Sequence, residues 1–185
     1  MRVITGTAKG RKLKELTSAD IRPTTDMVKE AIFSIVQFDI EGRRVLDMFA
    51  GTGQLGIEAL SRGAASCVFI DQSRDAVKLI RENIIHCKLD GGEVVQADAM
   101  SYLARADSFD LIFIDPPYDT PLCDKALQKI FEFDILTEGG IIVCETRWEN
   151  GLPEAELPYF RHKEYRYGKV KLTIYKKERQ ETDLV

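Results

Sequence analysis

The chain has no pair of cysteines spaced to hold a metal or to cycle as a redox disulfide. Cys67, Cys87, Cys123 and Cys144 stand at least 20 residues apart, and the two histidines, His86 and His162, complete no ligand pattern. No zinc or other metal site is therefore expected, and 185 residues bury enough core to fold without staples, so reduced and mostly buried thiols in a cytosol are the reading. No apolar run approaches the roughly 20 residues that span a bilayer, and Met1-Arg2-Val3-Ile4-Thr5-Gly6 lacks the apolar stretch of a secretion signal. A soluble, cytoplasmic protein without a membrane partner is expected. With 13 glycines and 6 prolines, collagen-like and low-complexity classes are excluded. An excess of positive charge is missing too: 26 Lys and Arg face 30 Asp and Glu, a net charge of −4, which in bulk argues against a polyanionic partner. What remains is an ordinary globular composition, 44% hydrophobic and 30% charged, long enough for one domain with a small appendage.

Across the middle of the chain, apolar runs of strand length alternate with segments of helical period, the pattern of an α/β fold with a largely parallel sheet. Strands are predicted at 43–49, 67–71, 93–97, 109–114 and 141–144, the last beginning after a break at Gly139-Gly140. Helices are predicted from Gln54 to about Arg62, after Ser73 as N-cap with Ala76, Leu79, Ile80 and Ile84 on one face, and through Leu122, Ala126 and Ile130. Two extended stretches, 159–167 and 170–175, face each other across Gly168 and predict a terminal antiparallel hairpin, giving seven strands in all.

Residues 1–40 read as an appendage and 41–185 as the main domain. Val3-Ile4 and 11–16 suggest a small β ribbon. A helix capped by Thr24, Thr25 or Asp26 carries Val28, Ala31, Ile32, Ile35 and Val36 as a docking stripe. Charge is segregated along the chain: residues 1–22 sum to +4 and 161–179 to +6, leaving −12 for 23–160. Any phosphate contact is thus expected at the two ends of the chain, provided that both flank the ligand crevice.

Gly51-Thr52-Gly53-Gln54-Leu55-Gly56 satisfies G-x-G-x-x-G between a strand and a helix, and Asp71 follows Gly51 by 20 residues at the end of the next strand. Glycines let a ligand approach the backbone at a helix N-terminus, and an acid at the second strand end accepts from ribose hydroxyls. The motif alone suits NAD, FAD or S-adenosylmethionine. Asp47, four residues before Gly51, decides between them. It would repel a pyrophosphate by about 1 kcal/mol or more, but it favours the cationic ammonium and sulfonium of S-adenosylmethionine. A nicotinamide oxidoreductase is the weaker alternative. Asp98, at the end of the third strand, suits either an adenine amino group or the N-cap of a following helix.

Asp115-Pro116-Pro117-Tyr118 closes the fourth strand beside the crevice where open α/β sheets bind ligands. Two prolines stiffen the turn and remove two donors, leaving the Asp115 carboxylate, the Pro116 carbonyl and a flat Tyr118 ring. That set suits a planar group with an exocyclic amine. The plain alternative is a rigid surface turn, and Cys123 reads as packing.

With these residues in hand, the chain resembles the class I S-adenosylmethionine-dependent amino methyltransferases, whose signature is (Asp/Asn/Ser)-Pro-Pro-(Tyr/Phe). More narrowly it resembles the bacterial small-subunit ribosomal RNA guanine-N2 methyltransferases of the RsmD type. That match extends over Lys9-Gly10-Arg11-Lys12-Leu13, Arg22-Pro23-Thr24-Thr25-Asp26, Asp47 to Gly53, Leu60 to Ala64 and Tyr167-Gly168. It implies a Rossmann-like fold and a catalytic turn of Asp115, Pro116, Pro117 and Tyr118. The cofactor set it implies is Asp47, Phe49, Gly51, Gly53, Asp71, Gln72, Asp98 and Ala99. Lys9, Arg11, Lys12, Arg22, Thr24 and Thr25 would meet RNA. The implied substrate is a flipped guanine of small-subunit rRNA in an assembled particle, with no DNA partner. The rivals are a methyltransferase acting on adenine-N6 or another amine, and a non-catalytic RNA-binding module on the same fold.

Overall fold

The computed structural model describes residues 1–15 and 26–179, so Arg22, Thr24 and Thr25 lie outside it. The chain runs α1 (Asp26–Ile35), β1 (Arg44–Met48), α2 (Gln54–Ser61), β2 (Ser66–Asp71), α3 (Arg74–Cys87), β3 (Gly92–Gln96), α4 (Ala99–Leu103), β4 (Phe109–Ile114), α5 (Leu122–Phe133), β5 (Leu136–Arg147), β6 (Tyr159–Tyr167) and β7 (Val170–Lys177). The seven strands form one sheet in the order β3-β2-β1-β4-β5-β7-β6. β1 to β5 are parallel, and the terminal hairpin adds two antiparallel strands at the edge. The order reverses between β1 and β4, which is where such a sheet opens a ligand crevice at its carboxyl edge.

Strand residues alternate between two cores. Val45, Phe69, Phe113, Val143 and Ile174 pack with α1, α2 and α3 on one face. Leu46, Ile70, Ile112, Ile142 and Tyr175 pack with α4 and α5 on the other. Burial on both faces explains why the inner strands read as unbroken apolar runs. The third glycine of the turn motif serves this packing: a Cβ on Gly56 would stand 2.2 Å from Phe69 Cε1, so only glycine lets α2 lie this close to β2.

Two expectations change. β5 begins at Leu136 and runs through Gly139-Gly140, where the β4–β5 register shifts between Phe109 and Leu111, so the glycines are absorbed as an irregularity rather than a break. The ribbon closes by a single antiparallel bridge, Arg2 with Lys12. It is otherwise fastened to α2 by its backbone. Ile4 and Thr5 donate N–H to the Glu58 carboxylate at 2.8 and 2.9 Å, and Thr7 donates to Ser61 O at 2.8 Å. Glu58 is fully buried and also takes Arg62 Nε at 2.9 Å and the Lys29 ammonium at 3.7 Å. Lys29, equally buried, extends the docking face of α1 beyond the predicted stripe, together with Phe33. Burial holds its pKa below the usual lysine value, while Glu58 opposes that shift.

Candidate active site

Between β1 and α2 the backbone turns through left-handed conformations at Phe49 (φ 59°), Gly51 (φ 55°) and Gly53 (φ 76°). For Phe49 that conformation is strained, and it occurs where the side chain joins the wall of a cavity. Asp71 clamps the turn: its carboxylate accepts from Gly51 N at 2.9 Å and from Ser73 N at 2.8 Å, joining the ends of β1 and β2. Gly53 is not on the cavity wall. Its Cβ would press on Ile80 at 3.1 Å, so it serves the turn and the start of α2.

The cavity, about 510 Å³, lies at the carboxyl edge above β1 and β4. Every other residue expected at the cofactor site lines it: Asp47, Phe49, Gly51, Asp71, Gln72, Asp98 and Ala99. Asp47 is buried and accepts one backbone bond, from Gly56 N at 2.8 Å. Burial raises its pKa well above the ordinary carboxylate value, the neighbouring charges of Asp115 and Asp71 raise it further, and the Gly56 N–H works against them. Asp98 spends Oδ1 on capping α4, accepting from Ser101 N and Oγ, both at 2.9 Å. Gln54, on the same wall, is buried with no hydrogen-bond partner for its Oε1. An orphaned amide acceptor and a buried, electron-rich carboxylate fit a cationic ligand such as the methionine end of S-adenosylmethionine.

Asp115, Pro116, Pro117 and Tyr118 line the same cavity from its β4 side. Tyr118 is braced from β5: its hydroxyl donates to the buried Glu145, and the Arg147 guanidinium lies 5.4 Å from its ring centroid. Arg147 in turn pairs with Asp119 at 3.0 Å. Cys123, in the first turn of α5, is buried in the core, and no group of His, Cys, Asp and Glu among the described residues is placed to hold a metal ion.

The two basic ends of the chain are placed differently. Met1 lines the cavity, but the 6–10 loop of the ribbon hangs on Ser61, at the far end of α2, about 12 Å away at the usual helical rise. Arg11 donates to His86 O at 2.6 Å, at the far end of α3. Lys9, Arg11 and Lys12 are therefore not on the cavity wall. The β6–β7 turn, by contrast, sits at the crevice edge, because Val170 pairs with Arg147 at the carboxyl end of β5.

A sequence model of the family described as Conserved hypothetical protein 95 matches residues 1–176. The chain belongs to this family. Among its relatives, the Escherichia coli (strain K12) ribosomal RNA small subunit methyltransferase D is 35% identical over 97% of this chain and 91% of its own length. A Bacillus subtilis (strain 168) protein named provisionally as the rRNA methyltransferase YlbH is 41% identical over 96% and 99%. The solved structure of yhhF from Escherichia coli, a provisionally named methyltransferase, superposes with a TM-score of 0.88 at 33% identity, covering 97% of this chain and 99% of that one. The RsmD-type resemblance and the class I methyltransferase fold are thereby borne out. The sequence reading missed Gln54, Glu145 and Arg147. Gln54 was open to detection as the first helical residue of the glycine motif. Glu145 and Arg147 carry no local signal, since they reach Tyr118 only through the β4–β5 pairing.

Proposed function

We propose that this family member is a methyltransferase that uses S-adenosylmethionine to methylate ribosomal RNA of the small subunit, at the exocyclic N2 of a guanine. The observation that carries the reading is a single cavity bordered on one side by the glycine turn with Asp47 and on the other by Asp115-Pro116-Pro117-Tyr118. Relatives named as small-subunit rRNA methyltransferases support the substrate class. Asp47 and Gln54 would hold the methionine end, Asp71 the ribose and Asp98 the adenine, with Phe49 and Ala99 as apolar walls. When bound, S-adenosylmethionine would supply a methyl group activated by its sulfonium; as the amine nitrogen takes it and the methyl–sulfur bond breaks, the N–H proton facing Asp115 would pass to that carboxylate and on to solvent. Asp115 and the Pro116 carbonyl accept from the amine, orienting its lone pair, and Tyr118, fixed by Glu145 and Arg147, stacks on the base. Positioning of this kind supplies most of the acceleration. The guanine enters by flipping out of its stack, at a cost of a few kcal/mol that stacking and edge hydrogen bonds offset.

The test is methylation of small-subunit rRNA, free and in assembled subunits, followed by digestion and mass spectrometry of the nucleosides. N2-methylguanosine is expected, and Asp115→Ala and Tyr118→Ala should lower its yield at least 100-fold. A product other than N2-methylguanosine, such as N6-methyladenosine, or near-normal transfer by both variants would overturn the assignment.

A further inference from the structure

At the carboxyl end of β5, one residue after Arg147, stands the one tryptophan of the chain. Trp148 follows β5, and its N–H donates to Lys169 O at 2.9 Å in the β6–β7 turn. The residue is 37% exposed. The Arg166 guanidinium lies 4.6 Å from its ring centroid; the Lys171 ammonium, at 5.7 Å, is buried and paired with Glu164 at 3.5 Å. One peptide bond earlier, Arg147 lies over Tyr118 of the acceptor turn. Arg147 and Trp148 are consecutive at the carboxyl end of β5, so one cation–ring pair belongs to the acceptor turn and the next to the β6–β7 turn. The surrounding hairpin segment, 161–179, sums to +6, and among the described residues Lys163, Arg166 and Lys169 form no ion pair.

An exposed aromatic beside an exposed guanidinium that forms no ion pair is an arrangement that holds single-stranded nucleic acid, because every base offers a π face and every nucleotide brings a phosphate. We propose that Trp148, with Arg166 at its ring, is the stacking platform for an RNA base that flanks the guanine to be methylated. The platform rests on the rRNA reading and deepens it. It assigns substrate-strand contact to the C-terminal hairpin, whose turn is at the crevice edge, rather than to Lys9 and Arg11, which lie at the opposite ends of α2 and α3. Tyr118 receives the flipped base, and Trp148 holds its neighbour in the strand.

Because Trp148 is the only indole, its emission reports on the platform alone. Titrating the full chain with small-subunit rRNA, or with a single-stranded oligoribonucleotide, should quench that emission at the same concentration that retains the RNA on a filter. Heparin, a polyanion without bases, should leave it unchanged. Trp148→Ala should raise the KM for RNA about 10-fold to 100-fold, the usual range for one base–aromatic stack, with unchanged affinity for S-adenosylmethionine. Trp148→Phe should restore most of the loss. RNA that is bound and methylated while the emission stays constant, equal quenching by heparin, or an unchanged KM in Trp148→Ala would each overturn the platform and leave the methyltransferase reading standing. Absence of any RNA methylation by the unaltered chain would overturn both.

Discussion

Helix α2 has a buried carboxylate toward each end, and the two are treated in opposite ways. Glu58, in its last turn, is enclosed by donors from its own chain: two ribbon N–H groups, the Arg62 guanidinium and the Lys29 ammonium. Asp47, beside its first turn, has one backbone donor, two acidic neighbours and a cavity. A buried carboxylate saturated by fixed donors is a fastener, and here it joins the N-terminal ribbon, α1 and α2 into one body. A buried carboxylate left short of positive charge favours a cation arriving from outside. The same chemical group therefore marks structure at one end of the helix and, on the proposed function, a place for a cationic ligand at the other.

The largest effect that separates them is on stability. Glu58→Gln leaves the Lys29 ammonium, whose remaining bond is to Arg2 O, buried without a counter-charge and should cost about 3–5 kcal/mol in denaturant unfolding. The folded fraction should bind S-adenosylmethionine within about twofold of the unaltered chain. If the stability is unchanged, the contrast between the carboxylates fails. Asp47→Asn should do the reverse, weakening S-adenosylmethionine binding by about 10-fold to 100-fold, or about 1.4–2.8 kcal/mol, with no loss of stability, since the amide oxygen still accepts from Gly56 N.

The pH dependence sharpens the point. With its folded-state value raised above the unfolded one, the contribution of Asp47 to stability is full below the ordinary carboxylate value of 3.8 and is lost as pH rises through the raised value. A unfolding series across that window should show this decline in the unaltered chain and not in Asp47→Asn. The smallest effects concern the two basic ends. Arg11→Ala removes the bond to His86 O and should cost about 0.5–1 kcal/mol of stability, with little change in the salt dependence of RNA binding. Lys169→Ala should leave stability within about 0.5 kcal/mol and lower the slope of log affinity against log salt by about one. The opposite pairing of outcomes would place the RNA on the ribbon.

Legibility followed the range of the interactions. Asp47, Asp71 and Asp115 were readable because each ends a strand of the parallel sheet, and a strand end at the carboxyl edge has a defined place relative to the crevice. Asp98 carried two compatible readings, and its capping of α4 is the one visible in the structure. Glu58 was not legible: a glutamate on a short helix has the sequence signature of a solvated face, and its partners Ile4 and Thr5 lie 54 and 53 residues away. Lys29 was hidden for the same reason. Gly139-Gly140 misled because β4 pairs on either side of the glycines, at Leu136 and Ile141, and absorbs them as an irregularity. The net charge misled differently, as a sum over the chain says nothing of which end of a helix a lysine reaches.

The most direct test of the account is the proton balance of cofactor binding, measured by titration calorimetry in buffers of different ionisation enthalpy at a pH below the raised value of Asp47. A cation arriving at Asp47 draws its carboxyl into the charged form, so the unaltered chain and Glu58→Gln should release a proton on binding S-adenosylmethionine and Asp47→Asn should release none. Equal proton release by Asp47→Asn and the unaltered chain would contradict the assignment of that carboxylate to the cofactor.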